Sequence, residues 1–364
     1  MEASVLKSKA NRIFANANAA DVILIANTNY PDPNFLYLTG MNSGLFEGSL
    51  ILLTRRGAKI LVSALEYEDA LRHIPRGMEL IKIESSQQIK SILNSGLKGK
   101  TLGTNDEFMT YAMHKRITAK YFPAKVIDVS SALSNARLVK EESEIKHIKK
   151  AVKISKRAML EIRKSFKIGI TEKTLAQRFD DISAKLGSDG PSFSTIVCFG
   201  ANASMPHHKP DGTKLKYGDF VLIDAGAKSR NYCSDITRTF IFGKDKKRIK
   251  DYEKKMEMYN LVKSAQKKAI GSIRPGVKGK DVHNLAADYI NSYKNGKYKG
   301  KFIHSLGHSV GIEVHDGPGL SPGATKPLKQ DMVVTVEPGV YLSGFGGVRI
   351  EDDILVTKNG SITL

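Results

Sequence analysis

Two periods of hydrophobic and polar positions alternate along the chain, and where they change they divide it. Residues 2–18 read as an amphipathic helix with Leu6, Ile13 and Phe14 available for one face. Four short apolar runs follow, DVILIAN, NFLYLTG, SLILLT and AKILVSA, each bounded by Gly, Pro, Asn or Arg and each read as a strand. Helical spacing returns over Glu66–Leu71, Gln87–Leu93 and Glu107–Lys120, separated by the strand-like ELIKI, KTLGT and KVIDV. Strands alternating with helices predict an α/β domain with a mixed sheet over residues 1–128.

The polar segment SSALSNARLVK marks a linker, residues 129–140, before a second domain over 141–364. There Ile145, Ile148, Val152, Met159 and Ile162 keep a helical stripe, Gly169 ends that element, and Thr171 is placed to cap a helix bearing Leu175, Phe179, Ile182 and Leu186. Strands follow, FVLIDAG among them. The order then recurs: a long helix to about Ile273, a PGV turn, a helix with Val282, Leu285, Tyr289 and Ile290, and strands that include MVVTVEPG. Helix, glycine turn, helix and strands ending in an acid, twice over, predict an α+β domain built from two duplicated halves about a pseudo-twofold axis.

Composition narrows the class. A chain of 364 residues exceeds what one hydrophobic core usually serves. At 41% hydrophobic and 26% charged it is not a disordered, collagenous or disulfide-scaffold sequence. Cys198 and Cys233 form no CxxC motif, which excludes a cysteine-cluster metal site and fits a reducing compartment. Glu2 interrupts the N-terminus, no secretory h-region is visible, and no apolar stretch nears the ~18 residues that span a bilayer. A cytoplasmic location is expected. The 57 Lys and Arg against 37 Asp and Glu give a formal charge of +20. The basic run that includes Lys246, Lys247, Lys254, Lys255, Lys267 and Lys268 also carries Asp251 and Glu253 and matches no nucleic-acid motif, so a solvated surface is expected rather than a nucleic-acid site.

The chemistry lies in the second domain. Four carboxylates sit inside apolar strands: Asp224 in VLIDAG, Asp235 in CSDITRTF, Glu337 in VVTVEPG and Glu351 in GVRIEDDILV. Buried unpaired charges cost several kcal/mol each, so a group of them calls for a cation. A turn centred between Ser229 and Arg230 would set Asp224 directly opposite Asp235, and Gly344 is equidistant from Glu337 and Glu351. Like charges opposed across a sheet are destabilising unless they share a ligand. With His308, held between glycines in LGHSVG, the set is Asp, Asp, His, Glu, Glu. Hard oxygen donors plus one imidazole suit manganese, cobalt, iron or zinc in a two-ion site.

These residues carry a resemblance. VLIDAGAKSRNYCSDITRTF, HSLGHSVGIEVHDGP and VEPGVYLSGFGGVRIEDDILVT resemble the pita-bread dinuclear metallopeptidases, in particular the prolidase and aminopeptidase P branch. IVCFGANASMPHHKP is similar to the segment that precedes the first Asp in that branch. NFLYLTG resembles a motif of its creatinase-like N-terminal domain, and ARLVKEESEI its interdomain linker. Creatinase itself shares the architecture but lacks these ligands.

The resemblance implies Asp224, Asp235, His308, Glu337 and Glu351 as ligands of two divalent ions per subunit, manganese or cobalt ahead of iron or zinc, with Asp235 and Glu351 bridging. It implies hydrolysis of Xaa-Pro bonds by a hydroxide held between the ions, with Glu337 moving the proton. His207 and His315 would hydrogen-bond the substrate and the developing oxyanion, and His304 would line the proline pocket. Arg349 would orient Glu351 or its neighbours, with Tyr341 nearby and Thr237 supporting the site through a hydrogen bond. His208, adjacent to His207, could exchange roles with it. A homodimer formed through or near the N-terminal domain is implied, with Xaa-Pro di- or oligopeptides as substrates and no membrane partner. A prolidase (Xaa-Pro dipeptidase) is the first reading. An aminopeptidase P acting on longer peptides is its rival, favoured by Gly319 where some relatives carry a carboxylate-binding arginine. A catalytically idle binding module of the same fold is the remote alternative.

Overall fold

The structure, a computed structural model, describes residues 3–121 and 123–364. The chain divides after Arg137 into two units. In the first unit, helix α1 (Ala3–Asn16) buries Leu6, Ile13 and Phe14, while position 2 lies outside the described residues. Strand β1 (Val22–Ala26) is buried at every position because it lies between β2 (Leu50–Thr54) and β5 (Thr101–Thr104) in mid-sheet. Its unbroken apolar run reflects burial on both faces. With β3 (Gly57–Val62), β4 (Met78–Lys82) and β6 (Lys125–Asp128) the sheet has the order β4-β3-β2-β1-β5-β6, antiparallel at β1/β2 and β2/β3 and otherwise parallel. Helices α3 (Ala64–His73), α4 (Ser86–Leu97) and α5 (Tyr111–Tyr121) connect these strands.

Two segments of this unit depart from the sequence reading. NFLYLTG is helix α2 (Pro33–Thr39), not a strand. Asp32 caps it by accepting from Asn34 N at 2.7 Å, Pro33 occupies its first turn, and Gly40 ends it at φ 66°. Both caps are local and specific, and they outweigh an apolar run that suits either period. The expected linker at 129–140 largely forms helix α6 (Ser130–Leu138), initiated by Asp128 Oδ1 accepting from Ser130 N at 2.9 Å. Ala132, Leu133 and Ala136 give it a buried face, and good helix formers prevail over the serines.

The second unit opens with α7 (Glu142–Ile162), whose first turn closes a capping box between Glu141 and Glu144, and α8 (Glu172–Lys185), capped by Thr171 Oγ1 accepting from Thr174 N at 3.2 Å. Strands β7 (Ile196–Phe199), β8 (Phe220–Ala225) and β11 (Ile236–Ile241) form a three-stranded antiparallel sheet in the order β11-β8-β7. Between β8 and β11 the chain makes a small ladder of β9 (Lys228–Ser229) and β10 (Tyr232–Cys233). The pattern repeats with α9 (Tyr252–Ser272), α10 (Gly279–Ser292) and a sheet of β12 (Val333–Val336), β15 (Asp352–Thr357) and β16 (Gly360–Thr363) in the order β12-β15-β16. The hairpin β13 (Gly339–Leu342) and β14 (Gly346–Arg349) interrupts it. One apolar cluster beneath each sheet holds it to its helices: Leu175, Phe179 and Ile223 in the first half, Val282, Ala286 and Val334 in the second.

Register decides how the acids meet. Glu337 and Glu351 fall opposite one another, between the pairs Val336↔Asp352 and Gly339↔Arg349, as the symmetry about Gly344 predicts. Asp224 does not oppose Asp235; it opposes Thr237. The turn is centred between Arg230 and Asn231, at φ 51° and 69°, because two successive left-handed residues make the tight turn that suits a twisted hairpin. The centre moves by one residue, and the register therefore shifts by two.

Candidate active site

Asp224 stands near the end of β8 and Asp235 just before β11, where the hairpin leaves its regular ladder. Glu337 and Glu351 sit at the break between the β12/β15 and β13/β14 ladders. His308 comes from the loop between α10 and β12. Its backbone is fixed by Thr335 Oγ1, which accepts from His308 N at 3.0 Å, and by Thr335 N donating to His308 O at 2.8 Å. Glycine is required beside it: a Cβ on Gly307 would run into the Thr335 carbonyl, and one on Gly319 into the His308 backbone.

The five predicted ligands come together. Asp235, His308 and Glu351 each bring a donor atom within 4.8 Å of the others. His308 Nε2 lies 3.5 Å from both Asp235 Oδ2 and Glu337 Oε1. Asp224, Asp235 and Glu351 are buried, and each leaves one carboxylate oxygen without a hydrogen bond: Asp224 Oδ1, Asp235 Oδ1 and Glu351 Oε1. Burial, then the facing Glu351, Asp224 and Glu337, holds the Asp235 carboxyl well above its usual range. Burial, then Glu337 and Asp224, does the same to Glu351. Burial pushes Glu337 up to about 8, and burial with the neighbouring His315 takes His308 down to about 4. Such a group exists as anions only if positive charge enters it. Three orphaned oxygens facing one imidazole fit hard divalent cations, so these residues match the metal centre that their pattern implies.

One cation of the chain itself is present, and it is already engaged. Arg349 donates from Nη2 to Asp224 Oδ2 at 2.6 Å, from Nε to Thr237 Oγ1 at 3.1 Å and from Nη1 to Tyr341 OH at 2.9 Å. Burial opposes its charge, but Tyr341 and the acids Asp224, Glu337 and Glu351 outweigh this and raise its pKa. Of the two possibilities for Arg349, it is the neighbour Asp224 and not Glu351 that it binds. Thr237 holds Glu351, donating to Oε2 at 2.6 Å. Thr237 reaches it because it occupies the position opposite Asp224 that the sequence reading gave to Asp235.

The remaining predicted residues line one cavity of about 570 Å³ above these carboxylates. His304 Nε2 lies 2.8 Å from Tyr341 OH, and burial, then Arg349, lowers its pKa to about 4. His315 sets its ring edge-on to His308, centroids 4.1 Å apart. His207 enters the cavity, whereas His208 turns away to Glu172. Phe193, Ile196 and Val314 supply an apolar wall. Cys233 takes no part: its Sγ meets Ile312 O, and burial pushes the thiol up to about 12.

Sequence reasoning missed Asp353 and Glu172. Asp353 is fully buried and accepts from Asp235 N at 2.9 Å, fixing the backbone beneath a predicted ligand. Strand alternation in IEDD puts it on the face of Glu351, a signal that was available. Glu172 carries no such signal, because an acid in the first turn of a helix reads as a complement to the helix dipole.

Known proteins resemble both units of the chain. Residues 9–139 match the creatinase/prolidase N-terminal domain and residues 146–358 match metallopeptidase family M24. The chain is 34% identical over 360 residues to an Xaa-Pro dipeptidase of Pyrococcus horikoshii, covering 98% of this chain and 96% of that protein. An Xaa-Pro dipeptidase from Bacillus anthracis superposes with a TM-score of 0.87 at 31% identity, and an X-Pro aminopeptidase from Thermotoga maritima with 0.86 at 30%. Each of these covers 98% of this chain and 97% of the other. The second unit has the pita-bread fold, and the family works with divalent metal ions. Both units matched in order, the chain belongs to metallopeptidase family M24 and carries the creatinase/prolidase N-terminal domain.

Proposed function

We propose that the chain hydrolyses the peptide bond preceding proline, as an Xaa-Pro dipeptidase. The observation that carries this reading is a cavity with a floor of four carboxylates and one imidazole, three further imidazoles around it and an apolar wall at Phe193 and Ile196. Asp224, Asp235, His308, Glu337 and Glu351 would hold two divalent ions, with manganese or cobalt as the preferred metal. Bound divalent ions supply Lewis acidity to a water and to the scissile carbonyl. Glu337 accepts the proton of the attacking water and passes it to the leaving imino nitrogen. His207 and His315 donate to the substrate and to the oxygen on which charge develops. His304, fixed by Tyr341, borders the proline ring.

An Xaa-Pro bond offers no N–H, so recognition must rest on the ring, the carbonyl and the amino end, for which an apolar wall beside imidazoles is suited. The named relatives act on such bonds, which supports the reading. A homodimer and a cytoplasmic location complete it. In support of the latter, both cysteines are free and buried, as suits a reducing compartment.

A second reading, aminopeptidase action on longer Xaa-Pro peptides, is favoured by one observation. Among the described residues lining the cavity, Arg349 is the one Lys or Arg, and it is bound to Asp224, Thr237 and Tyr341. Gly319 has its neighbour His308 where a side chain would stand. Assay of Ala-Pro beside Ala-Pro-Ala with manganese or cobalt decides: hydrolysis of Ala-Pro is expected, and cleavage of the tripeptide alone transfers the assignment to the second reading. Absence of both activities in metal-loaded protein returns the chain to an idle binding module.

A further inference from the structure

His207 makes no hydrogen bond among the described residues, although it enters the cavity at a position where a donor must be aimed. Its loop, between β7 and β8, has little regular structure beyond a short 3-10 turn at Gly200–Ser204. One carboxylate gathers hydrogen bonds from both sides of His207 in this loop. Glu172, in the first turn of α8, is fully buried. Its Oε1 accepts from Phe199 N at 2.7 Å and Asn202 Nδ2 at 3.0 Å. Its Oε2 accepts from Asp211 N at 3.1 Å and from His208 Nε2 at 2.8 Å. The four donors bracket His207 on both sides, and the last belongs to the residue immediately after it. Backbone bonds Glu172 N to Thr213 O and Lys173 N to Asp211 O, 3.2 Å each, tie the far end of the loop to the same helix terminus.

Glu172, His208 and Asp211 also have the spacing of a cation site. The carboxylate's two oxygens already accept four hydrogen bonds, and His208 Nε2 directs its proton at one of them, so their lone pairs are engaged. The arrangement is a clamp. A buried carboxylate with donors from four separate residues is strong and directional, whereas an exposed ion pair is not.

We propose that Glu172 and His208 are positioning residues: their buried bond latches the loop so that the His207 imidazole points into the cavity. The proposal rests on the role given to His207 above and extends it. A group misplaced by about 1 Å can lose about 100-fold in rate, which sets the scale of the effect. His208→Ala in the full chain loaded with manganese should lower kcat/KM on the cleaved Xaa-Pro peptide about 10- to 100-fold, mostly in kcat. His208→Gln, whose amide reaches the position of Nε2, should recover most of it.

A second measurement is independent of activity. In metal-free protein with labelled histidine, His207, identified by the signal lost in His207→Gln, should give one sharp imidazole resonance. That resonance should shift or broaden in His208→Ala and return in His208→Gln. A His208→Ala chain with kcat/KM within about twofold of wild type and an unchanged His207 resonance overturns the latch. If wild-type protein cleaves no Xaa-Pro peptide, the proposed function falls, and the resonance alone then decides the latch.

Discussion

The two hairpins of the pita-bread unit deliver an acid pair to one place by different routes. Between β12 and β15 the ladder breaks, and Glu337 and Glu351 face each other across the gap, outside the regular pairing on either side. Between β8 and β11 the acids are out of step. Asp224 is inside the ladder opposite Thr237, and Asp235 is one residue outside it. The offset has a use. It places a hydroxyl where an opposed carboxylate would have stood, and that hydroxyl crosses to Glu351 in the other half. The second hairpin answers with Arg349, which crosses back to Asp224. Backbone bonds run the same way, from Glu351 N to Thr237 O and from Asp235 N to the Asp353 carboxylate. Like-charged side chains are thus held close by bonds made between halves rather than within either hairpin.

Three substitutions probe that contrast. The largest effect is expected at Asp235, which the other acids surround: Asp235→Asn should lower kcat/KM about 10³-fold or more. Bound metal, measured by elemental analysis, should fall by at least one ion per chain, and retention of full metal content would mean that the first hairpin contributes less than the second. Next comes the crossing from the second hairpin. Arg349→Met leaves the Asp224 carboxylate buried without its partner, a change that costs ~3–5 kcal/mol in comparable pairs. Urea denaturation of metal-free protein should show that loss, and a shift under about 1 kcal/mol would show that the Arg349–Asp224 bond adds little to the fold. The smallest effect is expected from the crossing in the other direction. Thr237→Val keeps the shape of the strand but removes the donor to Glu351, and should reduce activity ~10- to 100-fold with the melting temperature little changed. An unaltered kcat/KM would make the offset in the first hairpin incidental.

Much of this site was legible in the chain because carboxylates inside apolar strands are conspicuous, and because IEDD and VEPG leave little choice of face. The pairing about Gly344 was legible for the same reason: a glycine-rich turn states its own centre. The first hairpin was not, since SRNY offers several centres and only the left-handed backbone at Arg230 and Asn231 fixes one. Helix α2 was obscured by an apolar run that suits either period, although Asp32, Pro33 and Gly40 mark its ends. The strands of the first unit were plain, whereas α6 was hidden by its serines, although Ala132, Leu133 and Ala136 give it a buried apolar face. Glu172 could not be read at all, because its importance comes from four donors that are distant in sequence and meet only after the loop has folded back.

The glycines beside His308 bear on how such an enzyme could be re-engineered. Where main chains touch, as at Gly307 against Thr335 and Gly319 against His308, no library of substitutions can introduce a new contact without displacing the imidazole itself. Diversity aimed at altered substrate choice belongs instead at Phe193, Ile196 and Val314, whose side chains face the cavity without supporting that backbone.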